Sequence, residues 1–279
     1  MPRNIVQIAL SSVRKVLYMI NDGTGIRGEV ERLLSRYLSD GKFNELWNGD
    51  KVEVVDDGIL DEPTWKQLGK SKRILWLLKE HNEHAPIYGD AAVNGADKNR
   101  MRLFGDMFHD GHGSVASNVG VQFKRNANWF RTLKLIELAS HAILASEIPS
   151  NISHSVRDRA IDTYCKLCVV EVGKTPGGKR TPDKRLRLLC EAWGDIVRRQ
   201  IEKYDPGIVI STGPQLEYLY SEDERGDVSR TNLNSSYVDR YSFDGRIWLR
   251  TFHPGYPRVN RLDWVCAIAQ AILAGHEEK

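Results

Sequence analysis

The chain has 279 residues, enough for one large domain or two small ones and for a substantial buried core. Its apolar fraction of 41% and charged fraction of 28% are those of an ordinary globular protein. A net charge of +3 is mild, so affinity for an acidic partner must come from local clustering of cations.

No stretch reaches the about 18–20 apolar residues of a membrane span. The opening "MPRNIVQIALSSVRKVLYMI" is interrupted by Arg14 and Lys15 and reads as an amphipathic helix, not a signal peptide. The expectation is a cytoplasmic protein without a membrane partner. Four cysteines (Cys165, Cys168, Cys190 and Cys266) suggest packed free thiols in a reducing compartment, not a disulfide scaffold. Cys165 and Cys168 have metal-like spacing, but one such pair without a second nearby is weak, and no metal is expected.

Residues 1–70 read as mostly helical. "GEVERLLSRYLSD" sets Val30, Leu33, Leu34 and Leu38 at helical spacing and ends at Asp40-Gly41. Residues 50–70 are polar and turn-rich. "KRILWLLKE" holds five apolar residues, 74–78, between charged flanks, the pattern of a buried central strand. Residues 83–122 are irregular, long enough for a functional loop region. "NWFRTLKLIELASHAIL" returns to helical period. A helix over 156–164, the strand "CVVEV", the helix "DKRLRLLCEAWGDIVRRQIEKY", the strand in "DPGIVIST" and a short helix follow. After a polar excursion over 221–240 come the strand "RIWLRTF" and a final helix, "DWVCAIAQAILAG".

Strands alternating with helices predict a three-layer α/β sandwich. Its central sheet is expected to be mostly parallel and four- to five-stranded. The expected division is a helical N-terminal extension, 1–70, and an α/β domain, 71–279. Loops at the strand C-termini then gather at one edge, where such sheets place their sites.

The loop after "CVVEV" contains Gly173-Lys174-Thr175, which invites a nucleotide-phosphate reading. A P-loop needs a glycine five residues before Gly173, where Cys168 stands, and a helix where Pro176-Gly177-Gly178 follow. That reading fails. What remains is a Gly-Gly turn with Lys174, Lys179, Arg180, Lys184, Arg185 and Arg187 around it. Such a cluster can track a polyanionic backbone or form a solvated basic face; cations at a helix N-terminus oppose its dipole.

From about Arg73 onward the chain resembles the uracil-DNA glycosylase superfamily, through four blocks in the family's order. "ILWLLKEHNEH" matches the first catalytic loop. "EVGKTPGGKRTP" is similar to the second-strand loop of the thermostable iron–sulfur branch. "YDPGIVISTGP" looks like the strand whose glycine begins a DNA-contacting turn, and "TFHPGYP" like the His-Pro block of the intercalating loop. The iron–sulfur cysteines are not matched: Lys174 or Thr175 stands at the loop cysteine, and no cysteine precedes 165. No cluster and no other cofactor is expected.

The resemblance implies a DNA partner and cleavage of an N-glycosidic bond. That reaction separates an oxocarbenium-like sugar from an anionic base, so cation and anion need separate stabilisation, and water must be supplied. Glu80 is the candidate carboxylate for the sugar and water, with Asn82 helping to hold the water. The bland alternative is that Glu80 pairs with Lys79 or a neighbouring helix. His253, aligned with the family's histidine, is the candidate donor to the departing base, against a purely structural histidine.

Phe104 is the closest match to the family's stacking phenylalanine, with Tyr88 and Trp129 as rivals. Pro254-Gly255-Tyr256-Pro257 reads as a stiff turn with Tyr256 as a wedge or a packed surface tyrosine. Arg258 and Arg261 are its possible phosphate contacts. Lys174, Gly177, Gly178, Lys179, Arg180, Gly213 and Gly255 complete the DNA-binding set.

The largest departure is Glu171, where the family's uracil readers carry Asn. An ionised carboxylate only accepts hydrogen bonds, so it suits the amino group of a cytosine-type base and repels uracil O4. An inward Glu in "VVEV" is otherwise a costly buried charge; a one-residue shift in the alignment would turn it outward. The expectation is a monofunctional DNA glycosylase for a non-standard base, a modified cytosine in preference to uracil, in repair or antiphage defence. The alternative is a non-catalytic nucleic-acid-binding module on the same fold.

Overall fold

In the computed structural model the five-residue apolar run at 74–78 becomes the middle of the molecule. The structure describes residues 25–46, 54, 57–82, 127–151, 162–177, 181–225, 229–231, 236–254, 256 and 260–273. The run extends into β2 (Ile74–Asn82), and Ile74 to Leu77 are wholly buried. A strand buried on both faces must sit inside a sheet and read as continuous apolar sequence. β2 pairs in parallel with β3 (Leu167–Gly177) on one side and β4 (Ile208–Ser211) on the other; β4 pairs in parallel with β7 (Arg246–Thr251).

Antiparallel strands extend this four-stranded parallel centre. β1 (Gly58–Ile59) pairs with β3, and β6 (Val238–Phe243) and β5 (Ser229–Thr231) follow β7, giving the order β1-β3-β2-β4-β7-β6-β5. The sheet thus has seven strands where four to five were expected. The additional pairing comes from the polar excursion and from the 50–70 segment. β6 reads Val-Asp-Arg-Tyr-Ser-Phe, so its period of two is masked by charge, although Val238 and Arg240 are both buried. In the β6–β7 turn Asp244 and Gly245 both take positive φ (52° and 65°), as a two-residue hairpin between twisted strands favours.

Alternation along the strands divides the apolar residues into two cores. Ile74, Trp76 and Leu78 of β2 join Leu167 and Val169 of β3 against helices α3 (Ala127–Ala145) and α6 (Arg261–Leu273). Here Trp76 Nε1–H donates to Ser140 Oγ at 2.9 Å, which accounts for a buried serine. Leu75 and Leu77 join Val170 and Val172 on the opposite face, against α1 (Ile26–Asp40) and α4 (Asp183–Tyr204). The short helix α5 (Gln215–Leu219) packs there too. In α4, Leu186, Leu189, Cys190, Trp193, Val197 and Ile201 recur at intervals of three and four and are all buried.

The expected helix ending at Asp40 is α1, with Gly41 closing it in the left-handed conformation at φ 64°. The turn-rich 50–70 segment contains another helix, α2 (Glu62–Gln67). Asp61 caps it by accepting Thr64 N–H at 2.9 Å, and proline stands in its first turn.

The division at residue 70 cuts through both cores and is corrected accordingly. Leu60 belongs to one, and Val30, Leu34, Leu46 and Trp65 to the other. Trp65 Nε1–H donates to Tyr204 O at 3.0 Å, and Tyr37 Oη–H to Ala192 O at 2.9 Å. Described residues from Gly25 onward are therefore integral to the α/β unit. The N-terminal amphipathic helix, the irregular 83–122 region and most of the 156–164 helix lie outside the described residues.

All four cysteines are free; Cys168 and Cys190 are buried. Burial raises the Cys190 thiol to about 12 and, with nearby carboxylates, the Cys165 thiol to about 11. Among the described residues no helix is long and apolar enough to cross a membrane.

Candidate functional site

Because β2, β3, β4 and β7 are parallel, their C-terminal ends meet one edge of the sheet. The last β2–β4 pair is Leu77↔Ser211, but β2 and β3 continue together to Asn82↔Gly177. The five further residues of β2 carry this pair about 16 Å past β4, at about 3.3 Å per residue. Glu80 and Asn82 lie in this projecting piece, with the Glu80 backbone paired to Gly173. From there two β2 steps face four β3 steps, which is a bulge over 173–177. Bulges re-aim the side chains of the strand that carries them.

The bulge decides the fate of Lys174. The Gly-Lys-Thr letters continue β3; they are not the loop that the sequence suggested. Lys174 is 1% exposed, and its Nζ donates to Asp57 Oδ2 at 2.5 Å and to Glu171 O at 2.6 Å. Asp57 also accepts Glu171 N–H at 2.7 Å and Gln200 Nε2–H at 2.8 Å. Both carboxylate oxygens are occupied, so Lys174 bolts the segment before β1 to β3 and α4. The assignment of Lys174 to DNA is corrected: a cation buried in this network has no surface to offer a phosphate.

Nearby cations are also locally engaged. Lys184 pairs with Glu45 at 3.2 Å, and Arg185 donates to the carbonyls of Glu45 and Leu46. Arg187 pairs with Asp183 at 3.0 Å and lies 4.4 Å above the Tyr218 ring. Gly177 ends β3, while Gly178, Lys179 and Arg180 lie outside the described residues, as do Tyr88, Phe104, Gly255 and Arg258. Trp129 lies in α3, and Arg261 opens α6 and is exposed.

Glu171 is inward, 4% exposed, paired with Leu78 and alternating with Val170 and Val172 of the opposite core. The outward alternative is removed. Thr175, also buried, has a hydroxyl without a hydrogen-bond partner among the described residues.

The group assembled at the ends of β2, β4 and β7 is tighter than sequence reading foresaw. Lys79 is half-buried on the α4 and α5 face, two residues beyond Leu77. A Cβ at Gly213 would meet Lys79 Cε at 3.1 Å, Gln215 Oε1 at 3.2 Å and Lys79 Nζ at 3.6 Å. The ammonium therefore lies over the glycine of the turn that follows β4. Thr212 and Gln215 secure that turn: Thr212 N–H donates to Leu77 O at 3.1 Å, and Gln215 Nε2–H to the same carbonyl at 3.4 Å.

His253 follows the end of β7. Its surface is exposed, yet burial is the first cause of its low pKa and the Lys79 ammonium the second; together they push it down to about 4. At neutral pH this imidazole is uncharged. Asp183, at the start of α4, is held below the ordinary carboxyl range by the Tyr218 hydroxyl first, then Arg187, with a smaller contribution from Lys79.

Phe252 and Tyr256 flank His253. Their rings stack at 5.4 Å and 12°, and both are exposed, at 42% and 43%. Tyr256 N–H donates to His253 O at 2.8 Å, closing the turn. Two exposed parallel rings have planar faces on which another flat group can stack. Sequence reading named Tyr256 but passed over Phe252 and gave Lys79 only as a partner for Glu80. The available signals were an aromatic next to His-Pro at a strand end, and a lysine closing an apolar strand.

Comparison with protein-family models finds no match, and comparison with curated proteins finds none either. The fold and site define an α/β protein whose strand-end edge brings together an ammonium, a neutral imidazole, a glycine turn and a stacked aromatic pair.

Proposed function

We propose that the protein is a DNA glycosylase of the uracil-DNA glycosylase type, built as a three-layer α/β sandwich and acting in the cytoplasm. The observation that carries this reading is the juxtaposition at the sheet edge of neutral His253 and the exposed Phe252–Tyr256 stack. A neutral imidazole can donate a hydrogen bond to an oxygen gaining negative charge without already carrying a charge of its own. The stacked rings suit a nucleobase or the gap left by a flipped one.

In this reading the C1′–N bond breaks, its electron pair leaves with the base, and His253 donates to the base oxygen. Glu80, with Asn82, orients water for addition to C1′ and accepts its proton, which passes to the base. The products are an abasic sugar and the protonated free base. Phe104, Tyr88 and the bulged end of β3 are assigned to the base pocket. Gly177, Gly178, Lys179, Arg180, Gly213, Gly255, Tyr256 and Arg258 are assigned to DNA, with Lys174 withdrawn. Buried Glu171 supports selection of a cytosine-type base, because its carboxylate accepts from an exocyclic amino group and repels a carbonyl.

The test is incubation with oligonucleotides and genomic DNAs carrying uracil, cytosine and modified cytosines, followed by mass spectrometry of the released base. Release of a cytosine derivative is expected, with a loss on the order of 10²- to 10⁴-fold in Glu80→Gln and His253→Ala. Uracil release without any cytosine derivative overturns the specificity. DNA binding without base release, unaffected by either substitution, identifies a binding module.

A further inference from the structure

The cation that sequence reading assigned to a phosphate, Lys174, is buried, whereas Lys79 stands at the strand-end edge itself. Its position is defined from three directions. The backbone of β2 places it two residues beyond the last β2–β4 pair, and its Cε and Nζ lie 3.1 and 3.6 Å from the position a Gly213 Cβ would take. Its field reaches both His253 beyond β7 and Asp183 at the start of α4. A glycine at 213 leaves this room: any larger residue would push the lysine stem away from the turn.

We propose that the Lys79 ammonium is a second anion-stabilising group of this site, acting beside His253 on the negative charge of the departing base. The inference rests on the glycosylase reading and adds a residue to it. When the C1′–N bond breaks, the base takes the electron pair. A neutral imidazole answers the resulting charge with one hydrogen bond only, while an ammonium in a half-buried site supplies a full positive charge at short range. Burial first, and this ammonium second, hold His253 in the neutral form that can donate without being an acid. Among the described residues, the charged groups around this edge include Lys79, Asp183 with its partner Arg187 on α4, and the Glu217–Arg250 pair between α5 and β7 at 2.7 Å.

The experiment compares full-length wild type, Lys79→Met and Lys79→Arg on oligonucleotides whose target bases differ in leaving-group acidity, in single turnover. DNA affinity at several salt concentrations and the NMR titration of His253 are measured on the same proteins. Lys79→Met is expected to lose on the order of 10²-fold in rate. The loss should be larger for the less acidic leaving base, with affinity and its salt slope unchanged and the His253 pKa raised. Lys79→Arg should recover part of the rate.

Equal rates in wild type and Lys79→Met overturn the inference alone. So does a weaker affinity with a salt slope smaller by about one and no dependence on the leaving base, the behaviour of a phosphate contact. A wild type that releases no base from any substrate overturns the glycosylase reading and this inference with it.

Discussion

Lys174 and Lys79 stand near the C-terminal ends of neighbouring parallel strands, yet one is a bolt and the other a site group. Lys174 sits in the bulge of β3, 1% exposed, with Asp57 and a main-chain carbonyl around its ammonium. Lys79 sits on β2, half-buried, over a glycine and within electrostatic reach of a histidine. The difference lies in what reaches each lysine from elsewhere. β1 and its preceding Asp57 close the outer edge of β3, whereas β4 stops at Ser211, opposite Leu77, so among the described residues no strand pairs with β2 beyond it on that side. Full burial in an ion-pair network makes Lys174 structural, whereas Lys79 is half-buried beside a glycine turn at the strand-end edge.

The largest effect is expected at Asp57. Asp57→Ala leaves a buried ammonium unpaired and also orphans Gln200 and the Glu171 amide. Such a change costs about 3–5 kcal/mol of stability. Urea denaturation should show the loss, and Asp57→Ala with Lys174→Met should recover part of it; near-wild-type stability for the single variant contradicts the bolt.

A smaller effect is expected at the stacked pair. Phe252→Ala removes one ring of an exposed stack, so folding stability should hold while DNA affinity falls by about 1–3 kcal/mol, the value of one stacked base. Fluorescence anisotropy reads this directly. Unchanged affinity would make the pair a surface ornament of the turn.

The smallest effect concerns pH. The folded His253 is pushed from an ordinary 6.5 down to about 4, so between these values the unfolded chain binds more protons. Stability therefore falls as the pH is lowered through that window, and is insensitive to this group above it. Urea unfolding at pH 7 and pH 5 should show a smaller acid loss in His253→Asn than in wild type. Lys79→Met should lie between them, because one of the two causes of the shift is gone; equal acid losses in all three contradict the coupling.

Much of this protein was written locally. The five apolar residues of β2, the three-and-four spacing of α4, the Asp40-Gly41 stop and the strand–helix alternation came from runs and periods of neighbouring residues, which is where local patterns carry information. The direction of Glu171 was left open by the resemblance, and burial at 4% exposure decides it as inward. β1, β5 and β6 were missed because short or charged edge strands gain their identity from the strand they pair with.

The fate of Lys174 was equally hidden, since its partner Asp57 lies 117 residues away in sequence and the bulge that turns it there exists only in the pairing with β2. Sequence alone determined where the central strands lie and which apolar residues fill them, but not where β2 and β3 end. Tertiary structure decided which of them are buried and which meet, because ion pairs and clefts are made by residues distant along the chain.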